Sequence, residues 1–128
     1  MFTNCQKLSS VPTNLLTAAT ITAPRCYHYM FQDCRALSNA PLLPATELAL
    51  SCYAQMFKNC WKLSTITNQL TAAESVTSGC CYEMFANCSS LLSVNINNFS
   101  KVKYLEENCY NSMFSGCSAL KSVGINFF

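Results

Sequence analysis

Charged residues are scarce in this 128-residue sequence, in which only 11% of residues are charged and the net charge is +2. Nucleic-acid binding through phosphates needs a strongly basic face, so we expect no nucleic-acid partner. Only three residues are glycine, which argues against a glycine-rich phosphate loop. No apolar run approaches the roughly 18 residues of a spanning helix, so we expect no membrane insertion.

Side chains that bind metals or act in catalysis are also few. His28 is the one histidine, and no Cys-x-x-Cys pair occurs, which argues against a zinc site. The six carboxylates do not recur in register with one another. We therefore expect no catalytic residue, no metal, no cofactor and no enzymatic activity. Polar character comes instead from 37 serine, threonine and asparagine residues.

Cysteine, by contrast, is abundant, and a repeat explains its ten occurrences. Each of the five methionines precedes a phenylalanine, at positions 1, 30, 56, 84 and 113, so the spacing is 26 to 29 residues. A cysteine lies three residues beyond each phenylalanine, and a leucine lies three residues further on. Residues 1–128 therefore form one array of about four and a half units. Because neither end looks like a polar cap, we expect this array to be an excerpt of a longer one.

The spacing within a unit predicts a helix followed by a strand. Counting the methionine as position 0, positions −8, −4, 0 and +1 share one face of a helix, as in Leu48, Cys52, Met56 and Phe57. Position +3 is Asn, Asp or Gly, which tolerate a left-handed backbone and would end the helix. Apolar residues at +7 and +10 then alternate with polar ones, as in a short strand. The predicted structural core contains Phe2, Cys5, Leu8, Cys26, Met30, Phe31, Cys34, Leu37, Cys52, Met56, Phe57, Cys60, Leu63, Cys80, Met84, Phe85, Cys88, Leu91, Cys109, Met113, Phe114, Cys117 and Leu120.

The motif Cys52-Tyr53-x-x-Met56-Phe57-x-x-Cys60-x-x-Leu63, with the preceding run 40–48, resembles the BspA-like leucine-rich-repeat surface proteins. This resemblance covers essentially the whole chain. It implies an α/β leucine-rich-repeat solenoid, with one short helix and one short parallel strand in each unit. It also implies a location at the cell surface or outside the cell, and a role in adhesion and partner binding.

The cysteines at −4 and +4 leave two alternatives open. Eight helical residues rise about 12 Å, which is too far for a disulfide within one unit. We therefore expect mainly buried thiols, with disulfides between neighbouring units as the alternative. Cys81 replaces the tyrosine usual at −3, and we expect it to be exposed and reactive.

The strand face is the candidate binding surface, because its outward positions would align into an uncharged stripe of amides and hydroxyls. Such a surface suits an extracellular protein or glycan ligand. The alternatives are a structural spacer or stalk that contacts neighbouring repeats or domains of the same polypeptide, and a partner contact at the basic turn edge of Lys7, Arg35 and Lys62 beside Trp61. The candidate strand-face residues are Asn39, Thr65, Thr67, Gln69, Ser93, Asn95, Asn97, Ser122 and Asn126.

Overall fold

A computed structural model of the chain describes residues 1–16, 22–66, 73–94 and 102–123. Its regular elements in these ranges are five two-residue strands, and no helix occurs among the described residues. The predicted leucine-rich-repeat solenoid, with a helix in every unit, is therefore wrong. The strands are β1 (Thr65–Ile66), β2 (Ser75–Val76), β3 (Ser93–Val94), β4 (Tyr104–Leu105) and β5 (Ser122–Val123).

The strands form two small parallel sheets. Strands β1, β3 and β5 pair in that order and lie at positions +9 and +10 of successive units. Strands β2 and β4 pair with each other and lie at positions −9 and −8, where the sequence predicts helix. Equivalent positions of successive units thus face one another in both sheets.

Successive tight turns occupy most of the predicted helical segment. We call this feature the turn ribbon, and it comprises residues 23–34, 49–60, 77–88 and 106–117. Every second backbone N–H in it donates to the carbonyl three residues earlier, as Met56 does to Tyr53. In the first three segments the intervening N–H groups donate to the next unit, as Tyr53 does to Cys80 at 3.0 Å. An α-helix instead requires each N–H to donate four residues back.

Backbone dihedral angles give the physical reason why no helix forms. Positive φ recurs every fourth residue of the ribbon, for example at Ser51 (52°), Gln55 (54°) and Asn59 (62°). A right-handed helix cannot continue through a left-handed residue, whereas a type II turn requires one at its third position. The prediction of a left-handed backbone at +3 is confirmed, with φ between 61° and 73° in all five units.

The ribbon turns two side chains inward and two outward in every four residues. The inward side chains form columns across the units, one of which is made of five phenylalanine rings with neighbouring centroids 5.4 to 5.9 Å apart. Tyr27 and Tyr53 stack in the same way at 5.9 Å. The core therefore consists of like residues stacked on like residues. The phenylalanine column contains Phe2, Phe31, Phe57, Phe85 and Phe114.

Most residues of the predicted core are buried, but two of its cysteines are exposed. Cys5 and Cys26 are exposed, because both lie in the N-terminal part of the array, where fewer units cover them. Phe2, Leu8, Phe114, Cys117 and Leu120 are partly buried and pack against the core. The buried members are Met30, Phe31, Cys34, Leu37, Cys52, Met56, Phe57, Cys60, Leu63, Cys80, Met84, Phe85, Cys88, Leu91, Cys109 and Met113.

Candidate functional site

The strand face is only partly within the described residues. Thr65, Ser93 and Ser122 align across the three-stranded sheet, and all three are exposed. Asn39 has a structural role instead, because its amide accepts from the Val11 N–H at 3.1 Å and donates to the Val11 carbonyl at 2.9 Å. The described stripe is therefore a row of hydroxyls. The remaining candidates, Thr67, Gln69, Asn95, Asn97 and Asn126, lie outside the described residues.

The turn edge contains a cation–π contact. The Arg35 guanidinium lies 4.3 Å from the centroid of the Trp61 ring, and this ring is half-exposed. Lys62 lies beside them in a surface groove of about 420 Å³. Lys7 is exposed but does not line this groove. The predicted basic edge thus contains one aromatic ring, which contacts the exposed Arg35.

A second groove, of about 480 Å³, crosses four units on the outward side of the turn ribbon, and sequence reasoning missed it. We call it the turn groove. Its floor is formed by small residues, including Ser51, Ala54 and Gly79. Larger polar and aromatic side chains line the rest of it, and among them are Arg25, His28, Tyr29, Gln55, Tyr82, Asn108 and Asn111.

The turn groove exists because its units differ at the same positions. Position −5 is Arg25 in one unit and Gly79 two units later, while position −2 is His28 in one unit and Ala54 in the next. Gly79 has a φ of +62° at the third position of a turn, a conformation that glycine adopts without strain. Ser51, Ala54 and Gly79 are small beside the larger Arg25, His28 and Tyr82, and this difference produces the depression.

A hydrogen-bond network holds one wall of the turn groove. Glu83 accepts hydrogen bonds from the Tyr82 hydroxyl at 3.1 Å, from the Gln55 amide at 2.5 Å and from the Lys58 ammonium at 2.6 Å. The Lys58 and Gln55 bonds lower the pKa of Glu83. The hydrogen bond to Glu83 also raises the pKa of the Tyr82 hydroxyl. Since Glu83 is ionised and bonded to three donors, it positions Gln55 and Tyr82 and is a poor proton acceptor for catalysis.

Two stacked rings form the other end of the turn groove. The His28 and Tyr29 rings lie 3.6 Å apart between centroids, with 20° between their planes. Burial lowers the pKa of His28, so the neutral imidazole is favoured in the folded chain. Tyr29 is 41% exposed. The wall therefore offers an uncharged ring pair with an accessible tyrosine.

All ten cysteines are free thiols in the structure. Four of the five at +4 donate to the phenylalanine carbonyl of the preceding unit, as Cys60 does to Phe31 and Cys88 does to Phe57, each at 3.2 Å. Burial raises the pKa of Cys60 and Cys88, which keeps both as thiols. The expectation that Cys81 is exposed is wrong: it is 1% exposed, because the ribbon turns position −3 inward whatever residue occupies it.

The described ranges contain neither a metal-binding cluster nor a membrane-spanning helix. No group of three or more histidine, cysteine or acidic side chains in them is arranged to hold a metal ion. They also contain no helix that is long and apolar enough to span a bilayer.

Comparison with known proteins found no matching protein-family model, no matching curated protein and no matching solved structure. The resemblance to BspA-like surface proteins therefore stays a prediction.

Proposed function

We propose that this chain is a non-catalytic recognition module that binds a protein or glycan ligand at the outer surface of a cell. The observation that carries this proposal is the composition of the turn groove. Its lining combines tyrosine, serine, glycine and asparagine with one arginine. These are the residue types on which antibody binding surfaces depend, because tyrosine offers large contact area at low entropic cost and the small polar residues supply adaptable hydrogen bonds.

Preorganisation of the turn groove supports the proposal. Gln55 and Tyr82 are both held by Glu83, and Tyr29 stacks on His28. A ligand that binds these groups does not have to order them first, so less of its interaction energy is lost. Because the accessible lining is mostly uncharged, hydrogen bonding and ring contact dominate over long-range charge attraction. We therefore expect binding to depend weakly on salt.

A binding array tests this proposal. The purified chain, kept reduced, is applied to immobilised glycans and extracellular-matrix proteins at low and high salt. We expect a ligand whose binding persists at high salt and falls at least about tenfold in Tyr29→Ala and in Tyr82→Ala, since tyrosines of this kind are common hot spots. Tyr104→Ala is the matched control, because Tyr104 is 68% exposed and lies outside the turn groove.

The strand face is compared in the same experiment. A Thr65→Ala, Ser93→Ala double variant removes two of its aligned hydroxyls without altering the turn groove. Binding that is lost in this variant and retained in the tyrosine variants would indicate that the ligand binds at the strand face and not at the turn groove. Binding that disappears at high salt would instead favour the basic turn edge at Arg35 and Lys62.

A structural spacer within a larger surface protein is the second candidate function. The continuous phenylalanine column and the thiol–carbonyl bonds between units favour it, because both join each unit to its neighbours. A spacer binds no ligand on the array. Its function in the full-length protein would also be insensitive to Tyr29→Ala and Tyr82→Ala.

A further inference from the structure

Three thiols meet where two neighbouring units pack together. The Cys52 and Cys80 sulfur atoms are 3.5 Å apart, and the Cys80 and Cys81 sulfur atoms are 3.8 Å apart. All three residues are at most 1% exposed. Cys52 and Cys80 both occupy position −4, so their closeness follows from the stacking of equivalent positions.

The backbone around Cys52 and Cys80 suits a disulfide. The N–H of Tyr53, next to Cys52, donates to the Cys80 carbonyl at 3.0 Å, so the two segments of the chain run side by side. Hydrogen-bonded neighbouring chains lie about 4.8 Å apart, which is inside the roughly 4.4 to 6.8 Å range of Cα separations in disulfides. The sulfur atoms need to approach by only about 1.5 Å to reach bonding distance.

The thiols at +4 are placed differently. Four of the five donate to a backbone carbonyl of the preceding unit, as Cys34 does to Phe2 at 3.0 Å and Cys117 does to Phe85 at 3.1 Å. The sulfur atoms of these four cysteines are directed at carbonyl oxygens, and a disulfide between any two of them would break two hydrogen bonds. The −4 cysteines of the third and fourth methionine–phenylalanine repeats therefore stand apart from the +4 column.

We propose that Cys52 and Cys80 form a disulfide between neighbouring units when the chain folds in the presence of a small-molecule disulfide. In the open chain, the Cys80 thiolate attacks one sulfur of glutathione disulfide, forms a mixed disulfide and releases one glutathione thiolate. The Cys52 thiolate then attacks the protein sulfur of this bond and releases the second glutathione. The protein loses two protons and two electrons, and glutathione disulfide is reduced to two thiols.

Folding is the step at which this bond forms, because the folded thiols are closed to solvent. The hydrogen bond with Cys80, together with burial, raises the pKa of Cys52, so the folded thiol is unreactive toward added oxidants. The native packing places Cys52 and Cys80 together and so determines which cysteines pair. Burial then also protects the disulfide from reduction. The bond links residues 28 positions apart and so constrains the unfolded chain.

Refolding in a glutathione redox buffer, followed by mapping of disulfide-linked peptides, tests the proposal. The chain is diluted from denaturant into reduced and oxidised glutathione, blocked with an alkylating agent and digested without reductant. We expect one major disulfide, Cys52–Cys80, and eight alkylated cysteines. Ten alkylated cysteines, or a major bond between Cys80 and Cys81 or within the +4 column, would overturn the proposal.

Two single variants distinguish the loss of the disulfide from a general loss of folding. Cys52→Ala should yield no major disulfide, whereas Cys117→Ala should retain the Cys52–Cys80 bond. The melting temperature of the oxidised wild type should exceed that of the reduced protein by up to ~10 °C, and this difference should be absent from Cys52→Ala. An equal oxidation-dependent shift in Cys52→Ala would contradict the assignment even if the chain folds less efficiently.

Discussion

Phe57→Ala is the sharpest test of the stacked core. Phe57 is completely buried, with the Phe31 ring 5.5 Å away on one side and the Phe85 ring 5.4 Å away on the other. Truncating a buried phenylalanine costs about 3–5 kcal/mol, since transfer and cavity effects add. Each lost ring contact accounts for about 0.5–1.5 kcal/mol beyond the buried area. We therefore expect a loss of about 4 kcal/mol in the free energy of unfolding.

Phe2→Ala is the matched comparison, because Phe2 stacks on Phe31 alone and is only partly buried. We expect it to cost about 1–2 kcal/mol, in line with the smaller apolar area removed from water. Urea unfolding followed by the fluorescence of Trp61, the one tryptophan, measures both. At an m-value of about 2 kcal/mol/M, Phe57→Ala lowers the midpoint by about 2 M. Equal losses in the two variants, or a loss below about 1.5 kcal/mol for Phe57→Ala, would refute the column as the centre of stability.

Three further predictions concern the turn ribbon. Gly116→Ala should lower the free energy of unfolding by about 2 kcal/mol, because φ is +73° and the new Cβ would clash with the Asn87 Oδ1. An Asn87→Gly background should recover about half of this loss in urea unfolding. Ser112→Gly, at a φ of 55°, should stabilise the chain by about 0.5 kcal/mol, whereas Asn111→Gly should not. Burial lowers the pKa of His28 below 6.5, so the unfolded chain binds protons more readily than the folded chain does. The free energy of unfolding should therefore fall as the pH is lowered from about 7 to about 5. His28→Gln should make this dependence of stability on pH weaker. A slope unchanged in His28→Gln would contradict the assignment.

The repeat register could be predicted from the sequence because stacked units place like residues together. Agreement of five units at Met, Phe, Cys and Leu positions marked most of the core, including Met56, Phe57 and Cys60, all of which are fully buried. Residue types at +3 likewise predicted the left-handed backbone there. Both inferences needed only that equivalent positions share one environment, and neither depended on the type of secondary structure.

The predicted helix was wrong because a period of four and a period of 3.6 differ little over eight residues. Cys52, Met56 and Cys60 lie on one side of either structure. The helix propensities of the residues argue against a helix, because Gly79, Asn108 and other residues of these segments are poor helix formers. Position −5, where both lie, is left-handed in the structure, with a φ of 62° at Gly79 and 57° at Asn108. Reading the turn residues at −5 together with those at +3 would have indicated a chain of turns.

The turn groove escaped sequence reasoning for a different reason. Comparing units identifies what they share, and shared positions form the core and the columns. The groove arises where units depart from one another, with Ala54 and Gly79 small where His28 and Arg25 are large. In a stacked array, such differences are the means by which one part of an otherwise uniform surface acquires its own shape. A binding site in a repeat protein of this kind is therefore better sought at the positions that vary between units than at those that recur.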